Sequence, residues 1–142
     1  MNAQTATKVS LNQTLDDALA SVPGCVLAGY VDLATGIMLG IRAKASYPQE
    51  ALDLVSATAA NLFGHADLTA IESWVLDGGK SGASGAGRFE EFVVLSEHLM
   101  HLCARSKEQS ENAVVLVARR SANFGMLMAK SRQAITQILA AA

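Results

Sequence analysis

The chain is poor in the residues that staple or rigidify a fold. Its 142 residues include two cysteines, two prolines and one tryptophan, and aromatic residues make up only 5%. Cys25 and Cys103 stand far apart in the sequence. In a cytoplasmic chain, two such cysteines are expected to be free, buried thiols rather than a disulfide. The core has to be built largely from Leu, Val, Ile, Ala and Met.

The chain also lacks long apolar runs and a dominant charge. No run reaches the length of about 18 apolar residues that a membrane-spanning helix needs. Residues 1–10 are polar and lack the apolar centre of a secretory signal. We therefore expect a cytoplasmic protein without a membrane partner. The net charge of −2 provides no general attraction to nucleic acid, so no nucleic-acid partner is expected.

Apolar residues are what the chain has in quantity. They make up 51% of the sequence, against 17% charged residues, and the mean hydropathy is +0.27. One interpretation is that some apolar surface is buried against a partner. The other is that the chain is simply rich in alanine.

The pattern of elements predicts one domain at residues 10–142, preceded by a flexible tail at residues 1–9. Ser10 and Gln13 have the spacing of a capping box, which predicts a helix from Ser10 to about Val22. Apolar residues at 25–33 and 37–43 flank the turn Ala34-Thr35-Gly36, which predicts a β-hairpin. Gly29 and Gly40 inside this hairpin predict a close approach by another element, more readily a helix than a ligand.

The second half of the pattern adds a long helix and three strands. Ser46 and Gln49 form another possible capping box, which predicts a helix through Phe63 that is apolar around much of its circumference. Residues 67–77 favour a helix over a strand, and residues 78–88, rich in Gly, Ala and Ser, are typical of a mobile loop. Strands are predicted at 89–96, 99–104 and 113–118, and a last helix is predicted after an Asn123 cap. The fold class is therefore an α/β (α+β) sandwich.

No catalytic, cofactor-binding or metal-binding constellation is complete. Gly79-Lys80-Ser81 resembles the end of a phosphate-binding loop, but the glycine that begins such a loop is missing upstream. On a strand, His101 and Cys103 share a face while His98 points away, whereas a zinc site needs three or four convergent ligands. Adjacent residues such as Ser96, Glu97 and His98 do not form a triad by themselves. We therefore expect no enzyme activity and no cofactor.

Several segments, taken in order, resemble the Roadblock family, the dynein light-chain type of domain with a profilin-like sandwich. These are the Leu-x-x-x-Leu that begins at Leu15, Val22-Pro23-Gly24, residues 30–36 (YVDLATG), residues 89–95 (FEEFVVL) and residues 123–127 (NFGML). Together they span about residues 11–140. The departure from the family pattern is residues 65–88, which look like an insertion of some twenty residues before the third strand.

The resemblance implies a five-stranded antiparallel sheet with helices on its faces and a homodimer that joins third strand to third strand beside the middle helices. An open strand edge and an over-apolar middle helix favour the same arrangement. The expected dimer interface consists of Phe89, Glu91, Phe92, Val93, Val94, Leu95, Leu52, Val55 and Ala59.

For function, the resemblance to the bacterial branch implies a regulator or scaffold that binds a small Ras-like GTPase without supplying the hydrolytic chemistry. The surface that would bind this partner is unknown. Two alternatives stay open. One is a small-ligand sensor with a pocket at Gly29, Gly40 and Cys25, and the other is a purely structural dimerisation module.

Overall fold

The fold is taken from a computed structural model that describes residues 3–64, 66–82, 89–109, 111–121 and 123–142. The elements in chain order are helix α1 (Ala3–Ser21), strands β1 (Cys25–Asp32) and β2 (Ile37–Ala43), helices α2 (Gln49–Phe63) and α3 (Ala66–Asp77), strands β3 (Glu91–Leu95), β4 (Leu99–Arg105) and β5 (Asn112–Arg119), and helix α4 (Phe124–Ala141). None of the helices in the described ranges is long and apolar enough to cross a membrane.

The five strands form one antiparallel sheet in the order β2-β1-β5-β4-β3. The predicted sheet is confirmed, and so is the prediction that the third strand lies at its edge. The hairpin turn is also confirmed. Gly36 has a φ of +73°, a backbone conformation that glycine adopts without steric cost, and Asp32 accepts hydrogen bonds from the Ala34 amide and the Thr35 hydroxyl.

Helices α1 and α4 pack side by side on one face of the sheet. Leu15 from α1, Leu127 and Ile138 from α4, and Leu102 and Leu116 from the sheet are fully buried in this layer. A Cβ atom on Gly40 would lie 3.3 Å from the side chains of both Leu11 and Leu15. The close approach predicted at this glycine is therefore made by helix α1.

Among the helices in the described residues, α2 is the one whose side chains join the core on the other face. Its buried residues Ala59 and Phe63 pack with Val31, Cys103 and Val115 from the sheet. The predicted end of this helix is confirmed, because Gly64 follows it and donates its amide to the Ala60 carbonyl at 3.1 Å.

Both predicted capping boxes are wrong. Helix α1 begins at Ala3 and runs across the expected boundary between tail and domain. Ser10 therefore lies inside the helix, and Gln13 bonds Asp17 on the next turn at 2.9 Å. Residues 3–9 contain no glycine or proline to stop the helix from extending backwards. Residues 1 and 2 lie outside the described residues.

Helix α2 starts later than its motif suggested. Pro48 is its N-cap, with an extended ψ of 152° and no side-chain cap. Proline disfavours helical geometry in the residue before it, so the helix cannot include Tyr47. Gln49 bonds Asp53 at 2.9 Å rather than reaching back to Ser46. The helix predicted at 67–77 is confirmed as α3, with bounds Ala66–Asp77.

Candidate self-association site

The outer edge of strand β3 has no partner within the described part of the chain. The Arg105 amide donates to the Glu90 carbonyl at 2.8 Å, and the Ser96 amide donates to the Leu99 carbonyl at 2.9 Å. Because hydrogen-bonded pairs alternate along an antiparallel ladder, the even-numbered residues of β3 bond β4. The backbone groups of Glu91, Val93 and Leu95 therefore point outward. We call these three residues the β3 edge.

The side chains of β3 leave this strand apolar and half exposed. Phe92 and Val94 face the α2 side, whereas Glu91, Val93 and Leu95 face the α4 side. Val93 is 40% exposed, and Val94 and Leu95 are similar. The strand contains no lysine or proline, the residues that commonly block unwanted pairing. Its one charge, Glu91, accepts a hydrogen bond from Arg132 of α4 at 2.8 Å, so it is held toward α4.

An apolar groove lies beside this strand, between α2 and the β3–β4 pair. It has a volume of about 290 Å³. Its walls are Leu54, Val55, Thr58, Leu62, Val94 and His101, and Ala59, Cys103 and Val115 also line it. We call this the α2 groove. Leu54 is 67% exposed at its rim, so the protomer alone leaves a leucine in water beside an open strand.

An aromatic cluster fixes the end of α2 to the start of β3. The Phe63 and Phe92 rings lie 4.9 Å apart in an edge-to-face arrangement, and Phe89 lies 5.5 Å from Phe92. Arg105 lies over the Phe63 ring at 5.0 Å and donates to the Phe63 carbonyl at 3.5 Å. A cation at a helix C-terminus is favourable. The groove and the β3 edge are therefore positioned as one unit.

A wider cleft of about 660 Å³ lies on the α4 side of β3 and β4. It is lined by charged side chains that include Glu90, Lys107 and Glu108, together with the Glu91–Arg132 pair. It contrasts with the α2 groove, whose described lining residues are apolar except for Thr58, His101 and the Cys103 thiol.

Comparison with known proteins rests on structure. No protein-family model and no curated protein matches the sequence. Among solved structures, MglB with a tetrameric arrangement superposes with a TM-score of 0.70 at 22% identity, covering 96% of this chain and 90% of that one. A Roadblock/LC7 domain from Streptomyces avermitilis gives 0.63 at 15% identity, covering 89% and 92%. The gliding protein MglB from Thermus thermophilus gives 0.67 at 21%, covering 96% and 91%.

The chain has the Roadblock/LC7 fold. The resemblance drawn from the sequence is confirmed at this level, including its profilin-like α+β class. The bacterial MglB structures are among the neighbours on which this conclusion rests.

In this Roadblock fold, the residues predicted for a dimer interface separate into two groups. Glu91, Val93, Val94 and Leu95 lie on the open strand, and Val55 lines the α2 groove. The others are tied into the protomer. Ala59 is 1% exposed, Phe89 and Phe92 belong to the aromatic cluster, and Leu52 packs against the core of the α2 face.

Sequence reasoning missed Leu54 and Leu62 as groove residues. They share a stripe with Thr58, since the spacing of four residues returns to the same side of a helix. That spacing was available as a signal, but it does not say which stripe of α2 faces away from the sheet.

The Gly79-Lys80-Ser81 segment closes the end of helix α3. It follows α3, whereas a phosphate-binding loop follows a strand. Asp77 accepts hydrogen bonds from the Ser73 hydroxyl, the Ser81 amide and the Ser81 hydroxyl. The hydrogen bond from the Ser81 hydroxyl lowers the pKa of the Asp77 carboxyl more than any other interaction does. The part of the predicted loop at 83–88 lies outside the described residues.

The histidine and cysteine residues do not converge. His101 and Cys103 face α2 from the same side of β4, while His98 lies in the exposed β3–β4 turn. No group of three or more potential metal ligands occurs among the described residues. Both cysteines are free and buried, as predicted. Burial raises the pKa of the Cys103 thiol to about 12 and also raises the pKa of the Cys25 thiol.

Gly29, Gly40 and Cys25 do not line a common pocket of the kind expected for a small-ligand sensor. Neighbouring positions on paired strands place Gly29 and Gly40 on opposite faces of the sheet. Cys25 is fully buried in the layer under α1 and α4, and Leu11 and Leu15 fill the space over Gly40. On the other face, the Met38 sulfur lies 2.8 Å from where a Gly29 Cβ would stand.

Proposed function

We propose that the protein is a self-associating scaffold of the Roadblock type. Two copies join through the β3 edge, and the pair binds a small Ras-like GTPase without performing chemistry itself. The observation that carries the proposal is the open, apolar β3 edge beside the α2 groove. An uncovered strand of this kind is a ready template for another strand.

The simplest pairing is antiparallel and centred on Val93, so that Val93 faces its own copy and Glu91 faces the partner's Leu95. All the outward backbone groups of the β3 edge are then used, giving about six hydrogen bonds across the two-fold axis. This axis is perpendicular to the sheet. The two α2 helices therefore lie on the same face of a ten-stranded sheet.

The opposite edge of the sheet suits this role less well. Strand β2 has exposed Ile37 and Leu39 side chains, but its pairing with β1 contains an irregularity at Tyr30 and Val31. It also carries Arg42, which forms an ion pair with Asp16 of α1 at 3.3 Å. Bulges and charges both discourage pairing between sheet edges. Helices α1 and α2 both pack against β2.

A solved structure of the same fold supports the self-association, and the family resemblance of the sequence supports the GTPase partner. One MglB of the same fold has a tetrameric arrangement, so this architecture is compatible with self-association. The GTPase partner comes from the family resemblance of the sequence. A purely structural dimerisation module would share the self-association and lack the GTPase.

Light scattering on a sizing column tests the self-association. A dimer gives about twice the chain mass of 14.8 kDa, and a concentration-independent mass of 14.8 kDa at micromolar concentration would refute it. For the partner, the tagged protein is incubated with small GTPases of the host, loaded with GDP or a non-hydrolysable GTP analogue. Retention that depends on the nucleotide supports the scaffold. Equal absence of retention in both states would leave only the structural module.

A further inference from the structure

Helix α3 is the most exposed apolar element in the described part of the chain. Ile71, Trp74, Val75 and Leu76 are each more than half exposed, and Leu68 is over a third exposed. No residue of α3 belongs to either core cluster. Exposed apolar residues grouped on one helix are typical of a surface that binds another molecule.

The end of α3 is closed by specific hydrogen bonds. The Gly79 amide donates to the Ser73 carbonyl and the Gly78 amide donates to the Trp74 carbonyl, each at 3.2 Å. Gly78 has a φ of +68°. The bond from the Gly78 amide to the Trp74 carbonyl, with this positive φ, is the αL ending of a helix. A Cβ on Gly79 would lie 2.8 Å from the Trp74 ring, so the following turn packs directly against the indole and fixes where it points.

The segment that contains α3 leaves the sheet and rejoins it next to β3. The chain leaves the sheet after Phe63 and returns at Phe89, and both aromatic rings lie next to Phe92 of β3. In the antiparallel pairing centred on Val93, Phe92 stands opposite the partner's Val94. Val94 lines the α2 groove. The root of α3 in one protomer is therefore next to the groove of the other.

We propose that the apolar face of α3 covers the α2 groove of a second copy, with Trp74 as its anchor. This inference rests on the self-association proposed above and deepens it. A stable interface buries about 800 Å² on each partner. Three partly exposed β3 side chains and Leu54 supply only part of that area, and α3 supplies a larger apolar surface at the same boundary. Tryptophan is also among the residues that dominate interface energetics.

Tryptophan fluorescence tests the inference directly, because Trp74 is the only tryptophan in the chain. In the protomer its side chain is 69% exposed. We expect acrylamide to quench the dimer several-fold less than the denatured protein. Dilution below the dissociation constant, or the Val93→Arg variant, should restore strong quenching. Light scattering on the same samples reports the mass.

The outcomes separate the two proposals. A dimer in which Trp74 is quenched as in the denatured protein overturns the α3 inference and leaves self-association intact. A protected Trp74 that is independent of concentration and of Val93→Arg also overturns it, because α3 would then cover its own groove. A monomer at all concentrations overturns both proposals.

Two leucine variants test the acceptor surface. Leu54→Ser alters the rim of the α2 groove, whereas Leu39→Ser alters a similarly exposed leucine on β2 at the opposite edge. We expect Leu54→Ser to increase the quenching of Trp74 and Leu39→Ser to leave it unchanged. Equal effects of the two variants would overturn the assignment. Trp74→Ala should weaken the dimer about tenfold or more, and an unchanged dissociation constant would also overturn it.

Discussion

Helices cover the two faces of the sheet to different degrees. On one face, α1 and α4 bury a layer that contains fully buried Leu15, Leu102 and Leu127. On the other face, α2 alone leaves a groove with Leu54 exposed at its rim. The first face holds the protomer together. The second face has surface left over for another molecule.

Simple dimensions explain the difference. Five strands spaced about 4.8 Å apart make a sheet about 24 Å wide. Two helices, each about 10 Å across, cover most of that width, whereas one helix covers less than half of it. Helix α2 packs against β1 and β2, and its last residue, Phe63, contacts Phe92 of β3. The uncovered part of this face, the α2 groove, therefore lies at β3 and β4.

The largest expected effect comes from opening the closed face. Leu102→Ala removes a fully buried side chain under α1 and α4, so it loses burial and leaves a cavity. We expect the free energy of unfolding to fall by about 2–5 kcal/mol. In the Val93→Arg monomer background, the matched change Leu54→Ala, at the exposed rim, should change the free energy of unfolding by less than about 0.5 kcal/mol. Urea denaturation at one protein concentration measures both, and equal losses would contradict the comparison.

The alkylation rates of the two cysteine thiols compare the two faces of the sheet. Burial raises the pKa of Cys103 to about 12, and the reactive form is the thiolate. At pH 8 its alkylation should therefore be about a thousandfold slower in the folded protein than in the denatured one. The rate should rise with pH until the pH reaches about 12.

Cys25, under α1 and α4, is the control for Cys103, which lines the α2 groove. The Val93→Arg monomer should label faster at Cys103 and unchanged at Cys25, with each peptide followed by mass spectrometry. Faster labelling at Cys25 alone would place the exposed face on the wrong side of the sheet.

A variant that separates the two copies tests whether they pair through the β3 edge, beside the partly covered face of the sheet. Val93→Arg places two guanidinium groups opposite each other across the proposed axis, so we expect the dimer to weaken about a hundredfold or more. Ile37→Arg makes the same change at an exposed position of the other edge strand and should leave the mass unchanged. A monomer from Ile37→Arg and a dimer from Val93→Arg would move the interface to β2.

How far the sequence predicts these features depends on the range of the interactions behind them. The hairpin at Thr35 and Gly36 and the Asn123 cap are set by near neighbours; Asn123 accepts from the Met126 amide at 2.9 Å, as predicted. The capping box predicted at Ser10 is wrong because a local motif does not show whether the helix continues before it. The α2 groove depends on the angle at which α2 crosses the sheet, and no local pattern encodes that angle.

Ala59 and Trp74 are two residues whose exposure in the fold the sequence does not predict. Ala59 was assigned to the interface but is buried within the protomer, whereas Trp74 belongs to a residue type that is usually mostly buried and is largely exposed. In both cases the outcome is set by contacts between elements distant in sequence. The predicted surplus of apolar surface is present, but much of it lies on α3.

A smaller effect is expected at the junction between α2 and β3. Arg105 contacts both the ring and the carbonyl of Phe63. Arg105→Met keeps much of the apolar stem and removes the charge, and it should lower the free energy of unfolding by about 1 kcal/mol. Arg105→Lys is the control that keeps a cation and should lose less. A larger loss for lysine than for methionine would show that the charge is not what stabilises the junction.

The smallest effect is expected for the ion pair on the α4 side of β3. Arg132 donates to Glu91 at 2.8 Å, but its side chain is 58% exposed, so water and salt screen the attraction. A double-mutant cycle with Glu91→Gln and Arg132→Gln should give a coupling of about 0.2–1 kcal/mol in the Val93→Arg monomer background. The same cycle in the dimer should give a larger coupling, because a paired β3 edge excludes water from Glu91. An equal coupling in the two backgrounds would mean that Glu91 stays hydrated, and that the strand beside it is not the one that pairs.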